Sequence, residues 1–235
     1  MNFGIIAAGE GRRLAQEGVE KPKPLVELEG TPMIGRLIGM FAALGAGRVS
    51  VIVNEQMPEV AAYLENIAPT LPMPLDIVVK STPSSMHSFH ELGRLLRGHG
   101  RFVVTTVDTI FRRDDFACYV EAFENAPAEV DGMMAVTRYV DDEKPLYVET
   151  DEEMDILAFR DTPWPEAEFV SGGIYGLDSG ALDVLDGCLE CGTQRMRNFQ
   201  RALVAAGMRL KAYDMGKIID VDHASDIAKA EEFIK

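Results

Sequence analysis

Cysteine and long hydrophobic runs are both scarce in this 235-residue chain. Its three cysteines, Cys118, Cys188 and Cys191, do not suggest a disulfide framework. No segment approaches the roughly 20 apolar residues that a helix needs to span a bilayer. The sequence opens on a strand-like run and not on a charged and apolar leader. We therefore expect a protein that engages no membrane and resides in a reducing, cytoplasmic compartment.

Basic residues are also few relative to acidic ones. The chain carries 23 Lys and Arg residues against 38 Asp and Glu residues, which gives a formal net charge of −15. Proteins that bind nucleic acid without sequence preference rely on clustered Lys and Arg side chains, so DNA and RNA are poor candidates as partners. An anionic ligand would have to be received by a local basic site against this acidic background.

Low-complexity linkers and internal repeats are absent as well, and the 47% hydrophobic content favours one globular domain. Short β-branched runs alternate with amphipathic helical patterns, which predicts a mostly parallel sheet covered by helices on both faces. One helix is expected to begin with Thr31 as a capping hydroxyl and Pro32 at its first helical position. The predicted strands of this region are 3–8, 49–53, 75–79 and 102–107, and the predicted helices are 33–44, 58–67, 84–96 and 114–125.

The alternation changes after residue 130, where strand-like segments follow one another without a long helix between them. This change predicts antiparallel strands beside the parallel core, so that two halves share one sheet. A last strand, either 209–213 or 218–221, leads to a terminal helix at 224–234. The other predicted strands of this region are 132–139, 146–150, 156–159 and 169–175, and the other helices are 180–189 and 198–206.

The most informative stretch runs from Phe3 to Leu25 and reads FGIIAAGEGRRLAQEGVEKPKPL. Glycine allows positive φ and a close backbone approach to a ligand, while exposed N–H groups and fixed cations offset phosphate charge. The loop lacks the third glycine of a Rossmann fingerprint and the G-K-[ST] of a Walker A loop. A tight strand-to-helix turn would explain the glycines alone, but the cations Arg13 and Lys23 favour a phosphate-binding loop.

These residues give the chain a resemblance to the nucleotidyltransferases that act on sugar 1-phosphates and related phosphate monoesters. That family carries A-A-G-x-G-x-R-L, then P-K-P-L, then a helix after G-x-P-M-I, and this chain has AAGEGRRL, KPKPL and GTPMI in the same order. The resemblance implies a Rossmann-like three-layer α/β/α fold with a mixed, mainly parallel sheet and a small antiparallel second-substrate region. It also implies that Arg13 and Lys23 are catalytic cations.

The same resemblance places nucleotide contacts on the glycine loop and on a later small-residue loop. A helix N-cap explains Ser84 and Ser85 equally well. The implied nucleotide-binding residues are Ala7, Ala8, Gly9, Gly11, Arg13, Lys23, Ser84 and Ser85.

Acidic residues at two strand ends are the candidate metal ligands. Asp108 follows a buried strand, at the edge where open α/β sheets bind ligands, and its carboxylate suits a hard cation such as Mg²⁺. The resemblance implies a catalytic metal-binding Asp at this position, usually after Gly, where this chain has Val107. The family carries a second metal carboxylate before the last helix, and Asp222 or Asp220 aligns with it in different registers. Asp222 matches slightly better, although a turn cap would also explain Asp108 and a helix N-cap would explain Asp222.

The second-substrate region is where the chain departs from the family. The segment Phe169–Tyr175 resembles the N-x-G-I-Y strand that lines the sugar site, but Ser171 stands in place of Asn. Ala158 occupies the position of a sugar-contacting Glu. Both departures weaken the case for an ordinary hexose 1-phosphate. The candidate second-substrate contacts are Arg160, Ser171, Gly172 and Gly173.

The resemblance implies an enzyme that uses Mg²⁺ to join the NMP unit of a nucleoside triphosphate to a sugar 1-phosphate, with release of pyrophosphate. Residues 1–235 then form one domain, with a nucleotide-binding half at about 1–110 and a second-substrate half at about 111–235. A cytidylyltransferase for phosphocholine or another phospho-alcohol is an alternative, which the missing Asn and Glu favour somewhat. A catalytically silent protein that binds a nucleotide-sugar is a second alternative. The base, the second substrate and the oligomeric state stay open.

Overall fold

The computed structural model describes residues 1–141 and 143–235. Two short 3₁₀ turns, Lys23–Leu25 and Ala68–Thr70, interrupt the longer elements. The helices and strands follow one another as β1 Asn2–Ala7, α1 Arg12–Gln16, β2 Glu27–Leu28, β3 Thr31–Pro32, α2 Met33–Ala43, β4 Arg48–Val53, α3 Pro58–Ile67, β5 Leu75–Val79, α4 Ser85–Leu96, β6 Phe102–Thr106, β7 Thr109–Ile110, α5 Arg113–Glu124, β8 Gly132–Thr137, β9 Tyr147–Thr150, β10 Ile156–Arg160, β11 Phe169–Leu177, α6 Ala181–Glu190, α7 Met196–Ala205, β12 Leu210–Asp214, β13 Ile219–Asp220 and α8 Ala224–Ile234.

A nine-stranded sheet forms the centre of the fold, with the main path β10-β9-β11-β6-β1-β4-β5 and with β8 joining β11 to β12. Strands β6, β1, β4 and β5 are mutually parallel. Strand β11 pairs antiparallel with β6, β8 and β9, and β9 pairs antiparallel with β10. The prediction of a parallel core with an antiparallel region beside it is therefore confirmed.

Alternation along the central strand β1 divides the core into two layers. Phe3, Ile5 and Ala7 face a cluster built with residues of α2, α5 and α8, whereas Ile6 faces a cluster built with α4, α6 and α7. This follows because successive side chains of a strand point to opposite faces of the sheet. The Phe3 ring stacks on Phe41 of α2 with centroids 4.4 Å apart. The sheet is thus covered on both faces, as the α/β alternation predicted.

The start of α2 differs from the sequence-based prediction. Thr31 does not cap the helix, because it pairs with Leu28 in the small β2–β3 hairpin, and Pro32 takes the N-cap position instead. The two residues of the hairpin loop, Glu29 and Gly30, both have positive φ, 49° and 76°. Such a pair is typical of a type I′ turn, whose twist matches that of the paired strands. The turn between the two strands therefore decides the local structure here.

The C-terminal region contains both strands that the sequence offered as alternatives. Strand β12 pairs parallel with β8, and β13 pairs antiparallel with β7 in a separate two-stranded sheet. The β13–β7 pair brings Asp220 opposite Thr109. This places the residues before α8 next to the end of β6. None of the helices within the described ranges is long and apolar enough to cross a bilayer.

Candidate active site

Four parallel strands end at the same edge of the sheet, and the loops that follow them enclose a cavity of about 500 Å³. We call it the first cavity. Its lining includes residues 8–13 after β1, Asn54 and Gln56 after β4, 81–85 after β5, and 106–108 after β6. Ligands of open α/β sheets bind at this carboxyl edge. All the residues that the sequence analysis assigned to the nucleotide lie in these loops, in β1 or in the turn at Lys23.

Gly11 lets the glycine loop approach Lys23 closely. Its φ is +61°, in the left-handed region, and it stands at the N-cap of α1. A Cβ atom built on Gly11 would lie 2.9 Å from the Cβ of Lys23. The buried side chain of Leu14 anchors α1 in the core. The second glycine of the loop is therefore required both by backbone conformation and by the space that Lys23 fills.

We expect Gly11→Ala to lower the melting temperature by about 2–8 °C. The left-handed conformation costs a non-glycine residue roughly 1–2 kcal/mol, and about 1 kcal/mol corresponds to roughly 2–4 °C in a chain of this size. Gly9→Ala is the matched control, because a Cβ there meets no other heavy atom of the described residues within 4 Å. Calorimetric scans of both variants give the measurement. Equal melting temperatures for the two would contradict the contact with Lys23.

Lys23 lies between two carboxylates that are distant in sequence. Its Nζ is 2.5 Å from Oδ2 of Asp108 and 2.6 Å from Oδ1 of Asp222. Only 9% of the Lys23 side chain is exposed, and prolines on both sides stiffen the 3₁₀ turn that carries it. Desolvation lowers the pKa of Lys23, but the charges of Asp108 and Asp222 outweigh it and raise the pKa above its ordinary value. Burial likewise opposes ionisation of Asp108, and Lys23 nevertheless holds the pKa of that carboxyl below its usual range.

Arg13 completes this cluster. Its guanidinium binds the second oxygen of Asp222, with an N–O distance of 3.1 Å. Asp222 thus joins Arg13 to Lys23, and the four predicted residues Arg13, Lys23, Asp108 and Asp222 lie together at one wall of the first cavity. In contrast, the neighbouring Lys21 is exposed and pairs with Glu27.

Asp220 occupies a different position from Asp222. One of its carboxylate oxygens accepts a hydrogen bond from the Thr109 hydroxyl at 3.1 Å. Asp220 is exposed and lines a cavity, yet desolvation by the surrounding protein and the charge of Asp108 raise its pKa to about 7. The two carboxylates before α8 therefore differ in their partners.

The donor set around Lys23 suits a hard divalent cation. Asp108 and Asp222 already converge on one cationic group, and Mg²⁺ is commonly held by one or two carboxylates together with substrate phosphates and water. Within residues 1–141 and 143–235, no group of three or more His, Cys, Asp or Glu side chains could hold a metal unaided. Further ligands would thus have to come from the substrate and solvent.

Asn54 is a buried residue of the first cavity that the sequence analysis missed. Its Nδ2 donates to the backbone oxygen of Ala8, while its Oδ1 accepts from the backbone N–H of Gln56 and from the hydroxyl of Ser81. This amide therefore ties the ends of β1, β4 and β5 together. The available signal was its position, directly after a buried strand at the ligand-binding edge.

The small-residue loop before α4 lines the opposite side of the first cavity. Ser84 stands at the N-cap of α4, and its hydroxyl lies 2.8 Å from Nδ1 of His87. Thr82 and Ser88 share a hydrogen bond of 2.6 Å between their hydroxyls. Ser84 and Ser85 both reach the cavity lining. Ser84 takes the N-cap position without a side-chain cap hydrogen bond among the described residues, and the nucleotide role of both serines stays a prediction.

A second cavity of about 260 Å³ adjoins the first. Arg13 and Asp222 line both cavities, so the cluster around Lys23 stands at their boundary. Ser171 and Gly172 belong to the second lining. The Ser171 hydroxyl donates to Oε1 of Gln200, a buried amide on α7, at 3.0 Å.

Gly173 and Arg160, two of the candidate second-substrate contacts, are not among the described residues that line the second cavity. Gly173 has φ of +72° and lies where the pairing of β11 with β8 shifts register between Ser171 and Tyr175, so it forms a bulge in the strand. Arg160 lies outside the described residues that line either cavity. Its guanidinium binds Glu149 on the neighbouring strand, because β10 is at the far edge of the sheet.

The wall of the second cavity is rich in carboxylates. Among the described residues of this wall, Arg13 and Lys229 are the Arg and Lys side chains, and Lys229 already pairs with Asp141 at 3.0 Å and with Asp226 at 3.1 Å. Tyr139 provides an aromatic surface in the same wall. The acidic residues of the lining are Asp141, Glu143, Asp220, Asp222 and Asp226.

The fold and the family-specific glycine loop define a nucleotidyltransferase. Residues 4–163 match the MobA-like NTP transferase domain, and the chain belongs to that family. The family and the enzyme class implied by the sequence are thereby confirmed. The roles of individual residues and the division into two halves stay predictions.

Similar proteins carry related activities in their names. A 67-residue segment is 40% identical to the 2-aminoethylphosphonate cytidylyltransferase of Lancefieldella rimae, and it covers 28% of this chain and 27% of that protein. The inositol-1-phosphate CTP transferase of T. maritima superposes with a TM-score of 0.79 at 16% identity, covering 100% of this chain and 97% of that one. A putative glucose-1-phosphate thymidylyltransferase from Bacillus anthracis gives 0.84 at 20% identity, covering 99% and 94%. At these identities the two structures show a shared fold.

Proposed function

We propose that the protein transfers the nucleotidyl group of a nucleoside triphosphate to a phosphate monoester or phosphonate in a Mg²⁺-dependent reaction. The observation that carries this proposal is the position of the Lys23 ammonium between Asp108 and Asp222, at the boundary of two adjoining cavities. The first cavity has room for a nucleotide, and the second suits a smaller phosphorylated molecule. The boundary is where the α-phosphate and the attacking oxygen would meet.

The chain's own residues would act mainly through charge and position. An oxygen of the second substrate attacks the α-phosphorus, a new P–O bond forms, and the bond to the β-phosphate oxygen breaks as pyrophosphate leaves. Backbone N–H groups of the glycine loop and the Arg13 guanidinium would receive the phosphates. An ammonium has three donors, of which Lys23 directs two at carboxylates, so its third can meet a phosphate oxygen. Such preorganised cations stabilise charge that develops in the transition state.

Asp108 and Asp222 are the residues that would hold Mg²⁺. A bound Mg²⁺ would neutralise phosphate charge and orient the triphosphate. In this proposal Lys23 keeps the carboxyl of Asp108 ionised and holds both carboxylates in place. Asp220 is the alternative to Asp222 as the second ligand.

Two classes of second substrate are candidates. A sugar 1-phosphate fits the order of the motifs. A phospho-alcohol or phosphonate that carries an amine fits the acidic wall of the second cavity, where a cationic group would find Asp141 and Glu143. The named activity of the relative from Lancefieldella rimae, on 2-aminoethylphosphonate, supports the amine-bearing class. We favour this class, because Ser171 and Ala158 also remove groups that would contact a sugar.

Pyrophosphate release across a substrate panel tests this proposal. The panel combines CTP, UTP, dTTP, ATP and GTP with 2-aminoethylphosphonate, phosphocholine and glucose 1-phosphate. Ethylphosphonate is the matched control, because it lacks only the amine. We expect the amine to raise kcat/KM by roughly 10–100-fold, since a hydrogen bond to a charged group contributes about 1.5–3 kcal/mol.

The outcomes separate the two levels of the proposal. Faster turnover of glucose 1-phosphate would assign the second cavity to a sugar. No pyrophosphate release from any combination in the presence of Mg²⁺ would overturn nucleotidyl transfer itself. Activity that is unchanged after chelation of divalent cations would overturn the metal requirement.

A further inference from the structure

Helix α1 and its C-cap residue carry two side chains of opposite charge, Arg13 within the helix and Glu17 at the cap, four positions apart. Residues with this spacing share one face of a helix. Arg13 binds the side chain of Asp222 at 3.1 Å. Glu17 accepts a hydrogen bond from the backbone N–H of Ala224 through one oxygen, at 2.6 Å, and contacts Nδ1 of His223 through the other, also at 2.6 Å. The helix thus contacts residues 222–224 at two points.

The turn before α8 is also held from within its own segment. The carboxylate of Asp226 accepts hydrogen bonds from the backbone N–H of His223 at 2.9 Å and of Asp222 at 3.3 Å. Three consecutive N–H groups therefore end on two carboxylates, Asp226 and Glu17. Asp226 belongs to α8 itself, whereas Glu17 follows the glycine loop, 206 residues away from His223.

We propose that Glu17 is a positioning residue for Asp222. By binding His223 and Ala224, Glu17 holds the start of α8 in a fixed position relative to the glycine loop. The inference rests on the proposed function, because it gives Asp222 its role at the metal and phosphates. Asp222 bridges Lys23 and Arg13 only when its backbone is held at the right distance from both. Asp226 fixes that backbone relative to α8, and Glu17 fixes it relative to the loop that carries Arg13.

A positioning role differs from a purely structural one in what it changes. The Glu17 side chain is 39% exposed, and ion pairs at such sites contribute little to global stability. Groups that orient metal ligands, however, typically change metal affinity or activity by about 10–100-fold when removed. Loss of Glu17 should therefore affect the metal and substrate site while the protein stays folded.

The test compares Glu17→Ala and Glu17→Gln with Glu20→Ala. Glu20 lies in the same loop, is exposed, and has no hydrogen-bond or ion-pair partner among the described residues, so its variant removes an equal charge without the contact. Mn²⁺ binding in the presence of CTP, measured by electron paramagnetic resonance without the second substrate, gives a readout besides turnover. We expect roughly tenfold weaker Mn²⁺ binding for Glu17→Ala, a smaller loss for Glu17→Gln and no change for Glu20→Ala.

Steady-state kinetics and thermal scans complete the test. We expect Glu17→Ala to lower kcat by a similar factor with a melting temperature close to that of the wild type. Equal Mn²⁺ affinity and equal kcat for Glu17→Ala and Glu20→Ala would overturn the positioning role. The positioning role would also be overturned if the loss of activity in Glu17→Ala were fully explained by a smaller folded fraction. In that case the folded variant would bind Mn²⁺ with wild-type affinity.

Failure of the proposed function gives a different pattern. In that case the wild type and Glu20→Ala release no pyrophosphate with any substrate pair. The Mn²⁺ comparison still decides whether Glu17 positions Asp222, because it needs no turnover.

Discussion

Lys23→Met is expected to lower kcat by about 10²–10³-fold or more, the range found when one preorganised donor is removed from a charge-stabilising site. The substitution keeps most of the side-chain volume but removes the only group that contacts both Asp108 and Asp222 within hydrogen-bond distance among the described residues. Two effects then combine. The phosphates lose a cation, and the two carboxylates lose the charge that holds them together.

Lys21→Met is the matched control for this experiment. Lys21 lies two residues away in the same Lys-Pro-Lys-Pro step, but it is exposed and pairs with Glu27 at 2.7 Å. We expect wild-type kcat and KM for this variant. The measurement is pyrophosphate release. If kcat fell equally in both variants, catalysis would depend on the loop and not on the Lys23 ammonium.

The same Lys23 substitution also predicts a changed dependence of stability on pH. In the wild type, burial raises and Lys23 lowers the pKa of Asp108, with a net lowering. The stabilisation from this pair is therefore present at neutral pH and is lost as the pH falls through the lowered pKa. Without Lys23, burial is the largest remaining influence on Asp108 and opposes its ionisation, so protonation relieves the uncompensated charge. The difference in melting temperature between wild type and variant should then shrink from pH 7 to pH 5.

Asp222→Asn is expected to lower kcat by about 10²-fold or more, and Asp220→Asn by clearly less. Asp222 contacts both Lys23 and Arg13, so the amide would break two charged contacts at the boundary of the cavities. Asp220 instead pairs with the Thr109 hydroxyl, and an amide oxygen can accept the same hydrogen bond. Loss of preorganised charge at a reacting phosphate has effects of this size.

Parallel measurements on the two Asn variants decide which carboxylate is the second metal ligand. Pyrophosphate release gives kcat, and Mn²⁺ titration gives metal affinity. A larger loss in Asp220→Asn on both measures would assign the metal to Asp220 and leave Asp222 as a partner of the cations. Full activity of an Asp108→Ala variant would contradict the whole carboxylate site.

The parallel core and the positions of the main site residues could be predicted from the sequence. The core depends on a local pattern of buried strands that alternate with helices, and the carboxyl end of such a strand predicts Asp108 at the ligand-binding edge. Lys23 lies in a 3₁₀ turn and Asp222 follows the antiparallel strand β13, so their place in the site was predicted by the order of the family motifs. The catalytic and metal roles of these residues stay predictions.

Other parts of the site depend on contacts that no local pattern reveals. Helix α1 has five residues, which is too short for hydrophobic periodicity to identify. The partnership of Glu17 with His223 joins residues 206 positions apart, and Asn54 is important through the strand ends that it connects. Only the three-dimensional arrangement of the strands could show these two roles.

A neighbouring strand sets the positions of two other residues, Thr31 and Arg160. Thr31 is a residue type that often caps helices, but here it pairs with Leu28 in the β2–β3 hairpin, and Pro32 takes the N-cap position. Arg160 matches a segment near the family's sugar site, yet its strand lies at the sheet edge and Glu149 binds its guanidinium. In both cases a neighbouring strand determines the position, which a motif taken alone does not specify.

The two cavities share Arg13 and Asp222, so ligands bound in both would be thermodynamically linked through these side chains. A triphosphate in the first cavity would draw Arg13 and Lys23 toward its own charge and so change the net charge that Asp222 presents to the second. A molecule bound in the second cavity must then alter the affinity for the triphosphate by the same factor, because linkage between two sites is reciprocal. The order in which the two ligands bind can differ, but the coupling free energy between them has the same value for either order.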